Sequence, residues 1–216
     1  MTPRVIIADD HPVVRMGLRA ALEASGAATV VAEAGGPDEL FDALKRVECD
    51  VVVTDFAMPG GTHADGLSLL SGLVRRHGET PVILVTMFAN VAILRSALDA
   101  GVQGVVAKEA SVQELPAAIT AVVAGRRYIS QSLREQLLTD TPDGALDVQT
   151  LSLKEMEVVR LFASGLSTSD IAVQLNRTAS TISKQKASAM ERLGLTSEVD
   201  LLLYAFTSGL VPKPPI

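Results

Sequence analysis

Tryptophan is missing altogether, and aromatic residues make up only 3% of the 216. A core must therefore come from Ala, Val, Leu and Ile, and a 48% hydrophobic content excludes global disorder. Cysteine is down to one, Cys49, which rules out an internal disulfide framework and suits a reducing cytoplasm. Set between Glu48 and Asp50, ahead of an apolar run, it reads as a packed thiol. Long apolar stretches are lacking too. None reaches the ~18 residues of a membrane span, and no basic start leads into a signal core. A soluble, cytoplasmic protein with no membrane partner is the expectation. Nor is there a basic excess: the net charge is −6. Residues 1–150 carry 12 Lys and Arg against 19 Asp and Glu, and residues 151–216 carry seven against six. An acidic front and a near-neutral back predict two modules with different partners, and charge alone announces no nucleic-acid binding.

What is present is a regular alternation. Arg4–Ala8, Thr29–Ala32, Val51–Asp55, Pro81–Thr86 and Gly104–Ala107 are short β-branched runs bounded by turn signals, as strands buried on both faces must be. Between them, apolar residues at helical spacing mark helices: Val14, Leu18, Ala21 and Leu22; Leu40, Phe41, Leu44 and Val47; Leu67, Leu70, Leu73 and Val74; and Ala89–Ala100. Ser111-x-x-Glu114 has the form of a capping box opening a further helix to about Gly125. The pattern predicts an α/β unit over residues 1–125: a flavodoxin-like, doubly wound, five-stranded parallel sheet in the order 2-1-3-4-5. Residues 126–150 read as one short helix (Arg126–Leu138) and a linker, Thr139–Gln149, rich in Asp with Pro and Gly. Residues 151–210 are wholly helical in pattern. Capping boxes at Ser152-x-x-Glu155 and Ser167-x-x-Asp170 precede two helices, and Thr178–Leu193 and Ser197–Ser208 supply two more. A small all-α, four-helix domain is predicted there, followed by a loose tail, Val211–Ile216.

The strand ends carry the chemistry. Asp9 and Asp10 end the first strand, Asp55 the third, Thr86 the fourth and Lys108 the fifth. In a 2-1-3-4-5 sheet the first and third strands are neighbours, so three carboxylates converge at the switch point where such folds bind ligands. Their mutual repulsion calls for a cation, and a hard divalent ion with oxygen ligands, Mg²⁺ above all, fits Asp9, Asp10 and Asp55. Such a set suits phosphoryl transfer to a carboxylate. Asp55 is the nucleophile, Lys108 and the metal stabilise charge, and Thr86 hydrogen-bonds the transferred group. Singly, a strand-end Asp, Thr or Lys is usually a turn cap, a β-former or a solvated charge. A phosphatase of the haloacid-dehalogenase type needs a second acid two residues after its nucleophile, where Ala57 stands, so an enzyme is not expected. His11 and His63 lack metal-ligand spacing and read as solvated loop residues.

Leu166–Leu193 contains a helix, a short connection and a second helix, as in a helix-turn-helix or in any α-hairpin. On the second helix Ile182, Ala189, Met190 and Leu193 share one side; Ser180, Thr181, Lys184, Ala187 and Ser188 lie opposite, small and polar enough for a major groove. Lys186 falls near the apolar edge, its stem packed and its ammonium within reach of phosphate.

Together the segments ADDH, TDFAMPG, VTM and AKEAS resemble the receiver domain of two-component response regulators. The segment from Leu151 to Leu195 is similar to the LuxR-type DNA-binding domain of the NarL/FixJ family. The resemblance implies phosphoryl transfer to Asp55 from a histidine kinase or phosphotransfer protein. It also implies contacts to double-stranded DNA from Arg177, Thr181, Ser183, Lys184, Lys186 and Ser188, and a homodimer, or a heterodimer, formed through Ser197–Ser208 with Leu201, Leu202, Tyr204 and Ala205. Two departures stand out. Val105 occupies the place of the usual switch aromatic, and the Met58–Gly66 loop is longer than the family's norm. A regulator that takes no phosphate and acts through a partner protein is therefore the alternative.

Overall fold

The computed structural model describes residues 2–58, 62–87, 91–139, 151–208 and 210–211. Its contacts divide the chain into two compact units, one holding Met1–Met87 and Leu94–Thr139, the other built mainly on Asp140–Ile216. The expected linker, Thr139–Gln149, and the tail after Val211 lie almost entirely outside the described residues.

In the first unit the strands are β1 (Arg4–Ala8), β2 (Thr29–Ala34), β3 (Val51–Asp55), β4 (Val82–Thr86), β5 (Gly104–Ala107) and β6 (Tyr128–Ile129). They form one parallel sheet in the order β2-β1-β3-β4-β5-β6. The helices are α1 (Pro12–Ser25), α2 (Pro37–Arg46), α3 (Gly66–Arg76), α4 (Val91–Asp99), α5 (Ser111–Val123) and α6 (Gln131–Thr139). Every residue of β3, β4 and β5 is buried, which is why these strands read as unbroken apolar runs instead of alternating ones. On one face Val5, Ile7, Val53, Ile83 and Val85 pack with Leu18 and Leu22 of α1 and with Leu115, Ile119 and Val122 of α5. Truncating a core leucine such as Leu22 removes roughly 2–5 kcal/mol. Gly104 is dictated by packing: a Cβ there would stand 2.8 Å from the Ile83 side chain.

Two local expectations are corrected. The sheet has a sixth strand: Tyr128 and Ile129 pair with Gly104 and Val105, so the helix expected from Arg126 starts only at Gln131. Two residues are too few to show periodicity. Ser111 caps nothing, because a 3-10 turn, Lys108–Ala110, leads directly into α5 and puts Ser111 in helical conformation with Ala110 at the N-cap. Glu114 turns instead to Tyr128 and Ser130.

The second unit contains α7 (Leu153–Ala163), α8 (Thr168–Gln174), α9 (Ala179–Arg192) and α10 (Glu198–Thr207) around Val158, Leu161, Ile171, Ala172 and Ile182. Here both capping boxes form, Ser152 with Glu155 and Ser167 with Asp170. The turn between α8 and α9 passes through Asn176 at φ 52°, a left-handed conformation that Asn tolerates better than most residues.

Candidate functional site

Parallel pairing brings the ends of β1, β3, β4 and β5 to one edge: Ala8 faces Thr54, Asp55 faces Val85, and Thr86 faces Ala107. The side chains that follow them gather into one cup. One ligand atom each from Asp9, Asp10, His11 and Asp55 lies within 4.8 Å of all the others. Asp9 and Asp55 are buried and Asp10 is partly exposed. Lys108 reaches in from the end of β5, its Nζ 2.7 Å from Asp9 Oδ2 and 2.7 Å from Asp55 Oδ2. The backbone N–H of Phe56 donates to Asp55 Oδ1 at 2.6 Å, and that of His11 to Asp9 Oδ1 at 2.8 Å.

The electrostatics follow from this crowding. Burial pushes the Asp55 carboxyl up from its ordinary range, against the pull of Lys108, while Asp9 adds to the rise. Burial works to lower Lys108, but Asp55 and Asp9 more than offset it and its ammonium is held above the ordinary value. Two buried acids, Asp9 and Asp55, sharing one lysine produce both effects together. Asp9 Oδ2 and Asp10 Oδ1 are both out of solvent, and neither receives a well-aligned hydrogen bond, although Lys108 Nζ and His11 Nδ1 (2.6 Å from Asp10 Oδ1) stand near them. Buried anionic oxygens without aligned donors suit a hard cation. The residues fit Mg²⁺.

Thr86 is fully buried on the same edge. Val105, in the middle of β5, is buried between Leu84 and Ile129 in the sheet. The loop after β3 is pinned at its far end: buried Asp65 accepts from Met58 N–H at 3.0 Å, and Gly66 N–H donates to Phe56 O at 2.8 Å. His11, expected to be merely solvated, is exposed at 66% of its side chain yet belongs to the cup, and its place next to Asp10 was the available signal. His63 is engaged elsewhere, its Nδ1 2.6 Å from Asp38 Oδ1.

In the helical unit Thr178 caps α9, and Ile182 and Ala189 anchor it in the core. Thr181, Ser183, Lys184 and Ala187 are exposed along its outer side. The remaining candidates have partners within the unit. Arg177 lies 3.3 Å from both Glu157 and Gln185. Lys186 Nζ lies 2.5 Å from Glu198 Oε1 and over the Phe162 ring. Ser188 turns inward and its hydroxyl donates to Glu155 Oε1 at 2.6 Å. On α10, Leu201 and Ala205 are fully buried, so the apolar side chains left exposed are Val199 and Leu203 and not that pair. Helical periodicity gives an angle around the axis; it does not reveal which long side chains fold back onto neighbours.

Comparison with known proteins adds independent findings. Residues 5–120 match the family described as response regulator receiver domain, and residues 149–205 that described as bacterial regulatory proteins, luxR family. The chain is 38% identical to the transcriptional regulatory protein RcsB of Escherichia coli K12 over 208 residues, 96% of each chain. Among solved structures it is similar to RcsB of Salmonella typhimurium, with a TM-score of 0.83 and 36% identity over 96% of this chain and 98% of that one. A second structure, of RcsB from Salmonella enterica serovar Typhimurium bound to promoter rprA in the presence of phosphomimetic BeF3−, gives a TM-score of 0.80 at 38% identity, covering 94% and 98%.

Proposed function

We propose a function on one premise: the chain belongs to the response regulators that join a receiver domain to a LuxR-type helix-turn-helix domain. Asp55 accepts a phosphoryl group from a histidine kinase or phosphotransfer protein, and its phosphorylation controls dimerisation and sequence-specific binding to double-stranded DNA, so regulating transcription. The observation that carries this reading is the convergence of Asp9, Asp10 and Asp55 with Lys108 at one sheet edge.

An Asp55 oxygen attacks phosphorus, the bond from phosphorus to the donor's imidazole nitrogen breaks, and the imidazole leaves with the electron pair and is reprotonated. The product is an acyl phosphate on Asp55. Phe56 N–H and Lys108 hold the carboxylate in place before transfer. Afterwards Lys108 pairs with a phosphoryl oxygen and Thr86 donates its hydroxyl to another. Asp9, Asp10 and Asp55 would hold Mg²⁺, which would supply positive charge against the transferring oxygens. Phosphorylation then shifts a pre-existing equilibrium toward the dimer. Without an aromatic at Val105, the shift is carried by other groups.

Thr181, Ser183 and Lys184 meet DNA directly, being exposed on α9. Arg177 and Lys186 reach phosphate by exchanging their carboxylate partners, and Ser188 holds α9 in register. Val199 and Leu203 of α10 face the second copy, or a heterodimer partner. A cytoplasmic location follows from DNA as the target. The DNA-bound RcsB structures support this reading by likeness.

Incubation with Mg²⁺ and a small phosphodonor, followed by intact mass measurement, tests it. The wild-type chain gains one phosphoryl mass and Asp55→Ala gains none. A wild-type chain that stays unmodified would favour the alternative, a phosphate-independent regulator working through a partner protein, to which Val105 already points. Turnover of phosphate esters in the same tube would instead reveal a hydrolase.

A further inference from the structure

We infer that Ser130 and Glu114 are positioning residues for Lys108, acting through the backbone on either side of it. This rests on the proposed role of Asp55 and Lys108 and extends it. Lys108 stands at the end of β5, where regular strand pairing stops, so something else must fix where its side chain starts. The residue before it, Ala107, donates its N–H to Ser130 Oγ at 3.0 Å. Ser130 is completely buried, and its own proton goes to Glu114 Oε2 at 2.6 Å. Tyr128 Oη donates to that same carboxylate oxygen at 3.0 Å. On the other side, the carbonyl of Lys108 accepts from Ser111 Oγ at 2.7 Å, beside the Ser111 N–H that closes the 3-10 turn.

The lysine backbone is thus bracketed by two hydroxyls, and one of them is oriented by a carboxylate from α5. A serine hydroxyl has one proton to give and lone pairs to accept with. The Ser130 hydroxyl uses both, so its orientation is fixed and so is Ala107. Losing it strands a buried N–H and frees the strand end to move. Lys108 Nζ must meet Asp55 and Asp9 within hydrogen-bond distance, and small displacements of such a group are costly to transfer. Ser130 also starts α6, its carbonyl accepting from Arg134 N–H at 2.9 Å. A movement of Lys108 therefore reaches α6 through a single residue, a route that needs no aromatic at position 105.

The test uses the full chain with Mg²⁺ and acetyl phosphate as the probe, reading the rate of phosphoryl uptake by intact mass. Ser130→Ala slows uptake at saturating donor by about tenfold with little change in half-saturating concentration, and Ser130→Thr, which keeps the hydroxyl, restores it. In a Lys108→Ala background, Ser130→Ala has no further effect, because both changes act on the same group. Uptake by Ser130→Ala at the wild-type rate, or an equal slowing with and without Lys108, overturns the inference. If Ser130→Ala does not fold, Glu114→Gln carries the same comparison, with several-fold slowing expected only while Lys108 is present. A wild-type chain that takes up no phosphoryl group overturns the reading of Asp55, and this inference with it.

Discussion

Asp9 and Asp55 share one ammonium, Lys108, and Asp10 stands beside them against His11, so carboxylates outnumber the ammonium inside the cup. The strain falls on Asp55, whose pKa folding raises because burial disfavours the ionised form. The folded protein therefore binds that proton more tightly than the unfolded chain. Below the ordinary carboxylate value of 3.8 the penalty is absent; it develops as pH rises toward the folded value and is complete above it. Asp55→Asn removes it. At pH 7 this variant melts at a higher temperature than wild type, and the gain vanishes under acid conditions. Thermal melts of both proteins across pH check this, and equal melting at pH 7 would show that the cup carries no such strain. The acids, Thr86 and Lys108 were legible in the sequence because each ends a recognisable strand. Ser130 was not, because its role depends on a two-residue strand that leaves no pattern.

Among the helices, caps were readable only where the preceding backbone is extended. Ser152 and Ser167 have extended backbones and close their boxes, whereas Ser111 follows a 3-10 turn and does not. Glu155 does more than cap. Besides accepting from Ser152 N–H and hydroxyl at 2.8 and 2.6 Å, it accepts from Ser188 of α9 and lies 3.4 Å from Arg192. One carboxylate thus joins the first turn of α7 to the second half of α9. Glu155→Ala should destabilise the helical unit by roughly 2–3 kcal/mol, combining a lost cap with the half-buried Ser188 hydroxyl left without its acceptor. Denaturant unfolding of the full chain followed by circular dichroism measures it. A loss under ~1 kcal/mol would reduce Glu155 to an ordinary cap. No spacing rule links Glu155 to Ser188, 33 residues away, so this tie was invisible beforehand.

Over the whole chain, charge decides how DNA is held. Of the helical unit's basic residues, Arg177, Lys186 and Arg192 sit beside carboxylates, and among the described residues Lys184 makes no ion pair on the exposed side of α9. On α9 a single copy would therefore offer phosphate few charges, and two copies on adjacent half-sites would bind more tightly than one. Phosphorylated protein should bind operator-sized DNA at least about tenfold tighter than unmodified protein, with dimer mass appearing by light scattering over the same range. Lys184→Ala should lower the slope of log affinity against log salt by about 1 for each copy. Anisotropy titrations at several salt concentrations test both, and tight salt-insensitive binding by monomer would contradict this account. The same scarcity of aromatics leaves a useful optical property. With no tryptophan to dominate emission, the two tyrosines report separately: Tyr128 on the clasp with Glu114, Tyr204 on α10. Ultraviolet difference spectra of Tyr128→Phe and Tyr204→Phe would divide the signal of the unlabelled protein between its two halves, so each can be followed in real time without a dye.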